Sequence, residues 1–442
     1  MDSKYSLPQD GGLILEGTPK DIIHRYEKIP TSIFEIESQG VEYVAQQIVE
    51  AISAHQTNSP NTLFKLGLTT GRTPLGMFHE LVRRYEAGNV SFKNVAVYSL
   101  DEFYPVKQAE QQSRSRRIKE DLLDKIDIKP ENIHLIDGST PLKEVSTYCA
   151  KYDHMARNLD LMIIGMGEQG QVGFNEAGSY AKSVTRMVQL SHQSRKAQAN
   201  SFYGIENTPR LAITMGLNTV MSAKRIILVA WGEDKANVVK KVVEGEATRL
   251  IPASLLQNHN QIEAVVDDPA AEALTVKKAP WLVGPCNWTP RMVRKAVVWL
   301  CETVKKPILK LTYKDYIENS LGELLDEVGM SYDKINIKVF NDLQHTITGW
   351  PGGKPNADDS TRPVPSTPFP KRVIVFSPLP ADDVISMGGT FNRLIEQGHD
   401  VHVAYQTSGN VAVYDDVVLQ NIDTAREMGF GDKFISQLWG WK

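Results

Sequence analysis

At 442 residues the chain is longer than one ordinary hydrophobic core supports, so two or three domains are expected. Its 41% hydrophobic and 23% charged content, with no apolar run near the roughly 20 residues that span a bilayer, excludes a helical membrane protein, and its net charge of −4 excludes a general attraction to nucleic acid. Three cysteines without paired spacing (Cys149, Cys286, Cys301), and a start over residues 1–12 with neither basic nor apolar character, point to the cytoplasm and away from export or a cysteine-type metal site.

Residues 63–68 form the first expected strand, an apolar run bounded by turn residues. The segment Leu66-Gly67-Leu68-Thr69-Thr70-Gly71-Arg72-Thr73-Pro74 leaves that strand and opens a helix over 74–85. In that helix Leu75, Phe78, Leu81, Val82 and Tyr85 share a face, Pro74 suits the first turn and Gly88 marks the end. Backbone N–H groups and threonine hydroxyls at the positive end of a helix suit a phosphate. The spacing is neither a Walker A loop nor a dinucleotide fingerprint, and a Gly/Thr turn of this kind is also an ordinary structural turn.

A second strand over 95–100 delivers Asp101 and Glu102 to its C-terminal end, where open α/β sheets place ligands and where an acidic residue is equally a turn or cap residue. The cluster Arg114, Arg116, Arg117 and Lys119 reads as a solvated helix face. The strand over 161–165 runs into a glycine-rich segment, Met166-Gly167-Glu168-Gln169-Gly170-Gln171-Val172-Gly173-Phe174-Asn175-Glu176, whose glycines let backbone approach a substrate closely. Strands over 226–231 and 262–266 complete a layered, Rossmann-like α/β domain over residues 1–275, with a mainly parallel sheet and helices on both faces. Helical patterns over 289–303 and 321–328 define a helical extension, residues 276–345. The Pro- and Gly-rich stretch 346–370 reads as a linker. Residues 371–442 carry one strand–helix–strand pattern over 372–376, 385–396 and 400–405, too short for a full doubly wound domain.

Three motifs in order, the Leu66–Pro74 turn, Ser99-Leu100-Asp101-Glu102-Phe103-Tyr104 and the glycine-rich segment ending in Phe174-Asn175-Glu176, resemble the glucosamine-6-phosphate deaminase family, a relative of the phosphogluconolactonases, over roughly residues 25–275. The resemblance implies conversion of glucosamine 6-phosphate to fructose 6-phosphate and ammonia without metal or organic cofactor. Asp101 matches the carboxylate that moves a proton between C2 and C1, and Glu176 matches a supporting carboxylate. Thr69, Thr70, Gly71, Arg72, Thr73, Glu102, Gly167 and Lys235 match the substrate- and phosphate-binding positions. The family's ring-opening histidine is replaced by Gln171 and its neighbouring aspartate by Gln169. A glutamine amide hydrogen-bonds but does not exchange protons near neutral pH, so assisted ring opening should suffer, by about 10²–10⁴-fold, while open-chain sugar still reacts. The same residues fit a catalytically silent sugar-phosphate binder.

Within 194–202 polar residues stand where the family has an arginine, which implies reduced phosphate affinity. Val188 follows Thr185-Arg186 where a basic residue would help bind an effector, so allosteric activation is not expected.

The segment Ser377-Pro378-Leu379-Pro380-Ala381-Asp382-Asp383 resembles the opening of the PIG-L-like zinc deacetylases, whose motif is His-Pro-Asp-Asp. Leu379 and Ala381 replace the implied ligand and base, and Asp382 alone falls short of three protein ligands, so no metal is expected. Burial of this short unit against a neighbouring surface would favour a homo-oligomer. A phosphosugar is the one small-molecule partner expected; no nucleic acid and no membrane are.

Overall fold

In the computed structural model, which describes residues 13, 20–71, 73–344, 372–379, 382–396, 398–407 and 422–423, all five apolar runs of the first domain are strands. They are β2 (Phe64–Leu68), β3 (Val95–Ser99), β6 (Leu161–Gly165), β9 (Ile226–Ala230) and β10 (Ile262–Asp267). Two short strands extend them, β1 (Thr31–Phe34) and β5 (Ile133–His134), giving a seven-stranded parallel sheet in the order β1-β10-β9-β6-β2-β3-β5. The expected α/β architecture is therefore present.

Side chains alternate across this sheet, and both sets are buried. Leu161, Ile163, Ile227 and Val229 enter one core with the helices Glu37–Asn58 and Leu75–Glu86, while Met162, Ile164, Ile226 and Leu228 enter another with Val145–Met155 and Ala236–Val243. Burial on both faces is why the strands read as unbroken apolar runs. In the helix Glu37–Asn58 the buried residues Val41, Val44, Ala45, Ile48, Val49 and Ile52 keep a helical period.

Sheet growth reverses between β2 and β6. From β2 the chain steps outward to β3, whereas β6 continues through β9 and β10 on the other side. Such a switch point leaves a crevice at the carboxyl ends of the strands. Beside it lies an antiparallel sheet of β4 (Asp101–Tyr104), β8 (Leu211–Thr214) and β7 (Arg186–Gln189), in the order β4-β8-β7. Asp101 and Glu102 thus begin a second strand rather than a turn, and Asp101 pairs with Thr214.

At the sheet edge, the His134 ring stacks on Tyr98 with centroids 4.7 Å apart. Burial, and then the charge of Lys65, pull the imidazole below its ordinary pKa. The unfolded chain therefore binds this proton more readily, so the stability from neutral His134 is present above about pH 6.5 and is lost as the pH falls toward the depressed folded value. Thermal unfolding followed from pH 7 to pH 5 should show a smaller decline in Tm for His134→Phe, which keeps the stack, than for the parent. Equal declines would remove His134 from the account.

The chain packs as two units, residues Met1–Met292 and Val293–Lys442. In the second, which also contains the helix Gly322–Val328, buried polar contacts join the helices Tyr313–Glu318 and Tyr332–Gln344: the Tyr316 hydroxyl donates to Asn336 Oδ1 at 2.7 Å, and Asn336 Nδ2 donates to the Leu311 carbonyl at 2.9 Å. This unit also holds β11 (Arg372–Ser377), the helix Asp382–Glu396 and β12 (Asp400–Tyr405), with β11 and β12 paired in parallel. The linker expected over 346–370 lies outside the described residues. Among the described residues no helix is long and apolar enough to cross a membrane.

Candidate active site

The cleft at the switch point begins with the turn after β2. Thr69, Thr70, Gly71 and Thr73 line it, and the helix Leu75–Glu86 starts at their end with no side chain capping its first N–H groups. Gly71 takes a φ of +119°, which a side chain rarely adopts. Thr70 Oγ1 is buried without a hydrogen-bond partner among the described residues. Free N–H groups, hydroxyls and a positive helix end together make an anion cradle. Arg72 lies outside the described residues.

The glycine-rich segment after β6 supplies the facing wall through Gly167, Gln171, Gly173 and Phe174. Gln171 folds back over the loop: its Oε1 accepts from the Gln169 backbone N–H at 3.0 Å, and its amide lies within 2.6 Å of where a Cβ on Gly167 would stand. The Gln169 side chain itself is exposed. Glu176 does not line the cleft; its carboxylate accepts from the Ser191 N–H at 3.0 Å and ties the segment to the helix His192–Gln198. Ser194, Ala197 and Gln198 of that helix close the third side.

Asp101 lies beneath the floor. It is fully buried, and its Oδ2 stands 2.8 Å from where a Cβ on Gly173 would be. Oδ1 accepts from Arg114 Nη1 at 2.7 Å, whereas Oδ2 has no partner among the described residues. Glu102 is engaged elsewhere: it accepts from the Ser113 hydroxyl and from the N–H groups of Phe103, Arg114 and Ser115, fixing the start of the helix Arg114–Asp121. Lys235 pairs with Asp234 at 3.3 Å and does not line the cleft.

The structure corrects the reading of Arg114 as part of a solvated face. Its side chain is only 15% exposed, lines the cleft, and sits 4.2 Å from the Phe174 ring centroid and 4.9 Å from that of Phe103. One signal was available in the sequence. Ser113 reads as an N-cap, which puts Arg114 in a first turn where the helix dipole disfavours a cation unless a carboxylate compensates. Arg186 also turns inward, donating to Asn175 Oδ1 at 3.0 Å and to Ser179 Oγ at 3.3 Å, and burial pulls its guanidinium below its ordinary pKa.

Gly173 has a φ of +57° and supports the floor by close approach. A methyl group there would meet Asp101 Oδ2 at 2.8 Å and Thr214 Oγ1 at 2.9 Å. Gly173→Ala should cost about 2–3 kcal/mol, of which roughly 1–2 is left-handed backbone strain and the rest displacement of Asp101. Chemical denaturation of the two proteins measures this, and a loss below 0.5 kcal/mol, on the order of an ordinary surface change, would contradict the contact.

Residues 35–265 match the family described as glucosamine-6-phosphate isomerases/6-phosphogluconolactonase. A putative glucosamine-6-phosphate deaminase-like protein of Bacteroides thetaiotaomicron is 46% identical over 404 residues, covering 91% of this chain but 60% of its own length, so this chain spans less than two thirds of that relative. Glucosamine-6-phosphate deaminase 2 of Bacillus subtilis is 39% identical over 214 residues, which is 47% of this chain and 85% of that protein. The solved structure of a monomeric glucosamine-6-phosphate deaminase aligns over 55% of this chain and 100% of its own, with a TM-score of 0.52 and 30% identity. With more than half its length inside the family match, this chain belongs to the glucosamine-6-phosphate isomerase/6-phosphogluconolactonase family.

Proposed function

We propose that the protein is an aldose–ketose isomerase and deaminase of a phosphorylated amino sugar, converting glucosamine 6-phosphate to fructose 6-phosphate and ammonia, with ring opening left largely unassisted. The observation that carries this reading is a single cleft with an anion cradle at one wall and a buried carboxylate, Asp101, directly under the floor. The phosphate would lie against Thr69, Thr70, Gly71 and Thr73, and Arg72 and Lys235 are the cations that the family resemblance assigns to it. Asp101 would take the proton from C2 and return it at C1, which requires its carboxylate to come within about 3 Å of the carbon. Gln171, where proton exchange would assist ring opening, can only donate or accept a hydrogen bond. Glu176, Gln169, Glu102 and Gly167 would shape the loops around the sugar.

A second reading has its own support. Asp101 is fully buried with one oxygen engaged by Arg114, and Glu176 is held by the Ser191 backbone, so a silent phosphosugar binder also fits. Production of ammonia and fructose 6-phosphate from glucosamine 6-phosphate decides between them: steady formation of both supports the enzyme, and tight binding with neither product supports the binder.

We assign this activity to residues 1–275, treat 276–345 as an extension, and read 371–442 as a segment akin to the opening of a PIG-L-like deacetylase that has lost its metal ligands. In that segment the Asp383 N–H donates to Ser377 Oγ at 3.1 Å, and Tyr405 donates to its carboxylate at 3.4 Å, contacts that favour a structural role.

A further inference from the structure

Among the described residues lining the cleft, Arg114 alone carries a charge. Arg114 holds Asp101 through Oδ1, while Glu102 is engaged by Ser113 and three backbone N–H groups and Glu176 by Ser191. The guanidinium is held between that buried carboxylate and the Phe103 and Phe174 rings, with Nη1 at 2.7 Å from Asp101 and its centre 4.2 Å from Phe174. It therefore fills the place beside Asp101 that a substrate cation would otherwise take. An ammonium entering this end of the cleft meets a like charge, and the one unengaged oxygen nearby, Asp101 Oδ2, lies beneath Gly173 outside the lining, whereas a hydroxyl or carbonyl oxygen meets a guanidinium donor.

We propose that Arg114 is the specificity-determining residue of the cleft, selecting phosphosugars whose end remote from the phosphate is uncharged over those that carry an ammonium. The inference rests on the phosphosugar reading above and narrows it: an amino-sugar phosphate enters as its free amine. Removing Arg114 would leave the carboxylate of Asp101 bare and open to pairing with an ammonium.

The test is calorimetric titration of the full chain near pH 6, well below the roughly 7.7–8.0 of an ordinary α-amino group, with glucose 6-phosphate, glucosamine 6-phosphate and, as control, inorganic phosphate. The parent should bind glucose 6-phosphate about tenfold more tightly than glucosamine 6-phosphate. Arg114→Gln should move that ratio by about tenfold or more toward the amino sugar. Because a bare buried carboxylate can unfold the variant, the double variant Asp101→Asn/Arg114→Gln serves as the second arm. Its neutral pair should bring the two affinities together. Binding of both sugars with a ratio that neither variant moves, or a parent that prefers glucosamine 6-phosphate, overturns the role of Arg114 and leaves the phosphosugar reading intact. Absence of binding of either sugar to the parent overturns that reading and the inference with it.

Discussion

Gln171→His should raise the rate of fructose 6-phosphate and ammonia formation from glucosamine 6-phosphate by about 10²-fold, the lower end of what a positioned proton shuttle contributes. The residue lines the cleft and its side chain lies on the glycine loop, with Oε1 accepting from the Gln169 N–H at 3.0 Å. An imidazole has similar reach, accepts the same hydrogen bond through one ring nitrogen and exchanges a proton through the other, which an amide does not do near neutral pH. The gain should stop short of the full range because Gln169 supplies no carboxylate to orient the ring, so Gln169→Asp added to Gln171→His should bring a further rise. The pH profile is the stronger diagnostic. A new limb near pH 6–7 should appear in the variants and be absent from the parent. A rate that stays at the parent level while the sugar still binds would mean that ring opening is not the defect, and would favour the silent binder.

How much of this could be read before the structure depends on which physical signal each element carries. The central strands were legible because helices cover both sheet faces: all five residues of β9, Ile226–Ala230, are buried and all are apolar. The edge strand β1 and the small sheet were not legible. Thr31–Phe34 and Asp101–Tyr104 are four residues each, and the latter opens with two carboxylates whose burial is made possible by partners far along the chain, Arg114 and Ser113 among them. The helix Glu37–Asn58 carries a weak apolar pattern because its buried valines and isoleucines are diluted by long polar side chains on its open face. In the cleft, the turn at Thr69–Thr73 and the glycine-rich loop were visible as motifs. Arg114 was not, since a run of basic residues has the same composition whether its first member faces water or turns inward to a carboxylate.

Asp101→Asn should sharply lower turnover and also weaken the fold, and the two effects have separate origins. The substitution keeps shape but removes the carboxylate proposed to take a proton from carbon, so kcat should fall by about 10²–10⁴-fold. KM should change little, because a group whose interaction is made only in the transition state contributes to kcat and not to ground-state binding. The stability loss comes from Arg114, which is 15% exposed and would face a neutral amide in place of its buried partner. Removing one member of a buried pair costs about 3–5 kcal/mol, and the partial exposure of Arg114 argues for the lower end. Denaturant unfolding reads the second effect, and steady-state kinetics well below the unfolding transition reads the first. Asp101→Asn/Arg114→Gln then separates them, since a neutral pair should recover most of the stability and none of the rate. Recovery of both together would mean that the rate loss of Asp101→Asn comes from the unpaired Arg114 guanidinium and not from a missing proton-transfer group. A kcat unmoved by Asp101→Asn in folded protein would take the carboxylate out of the chemistry altogether.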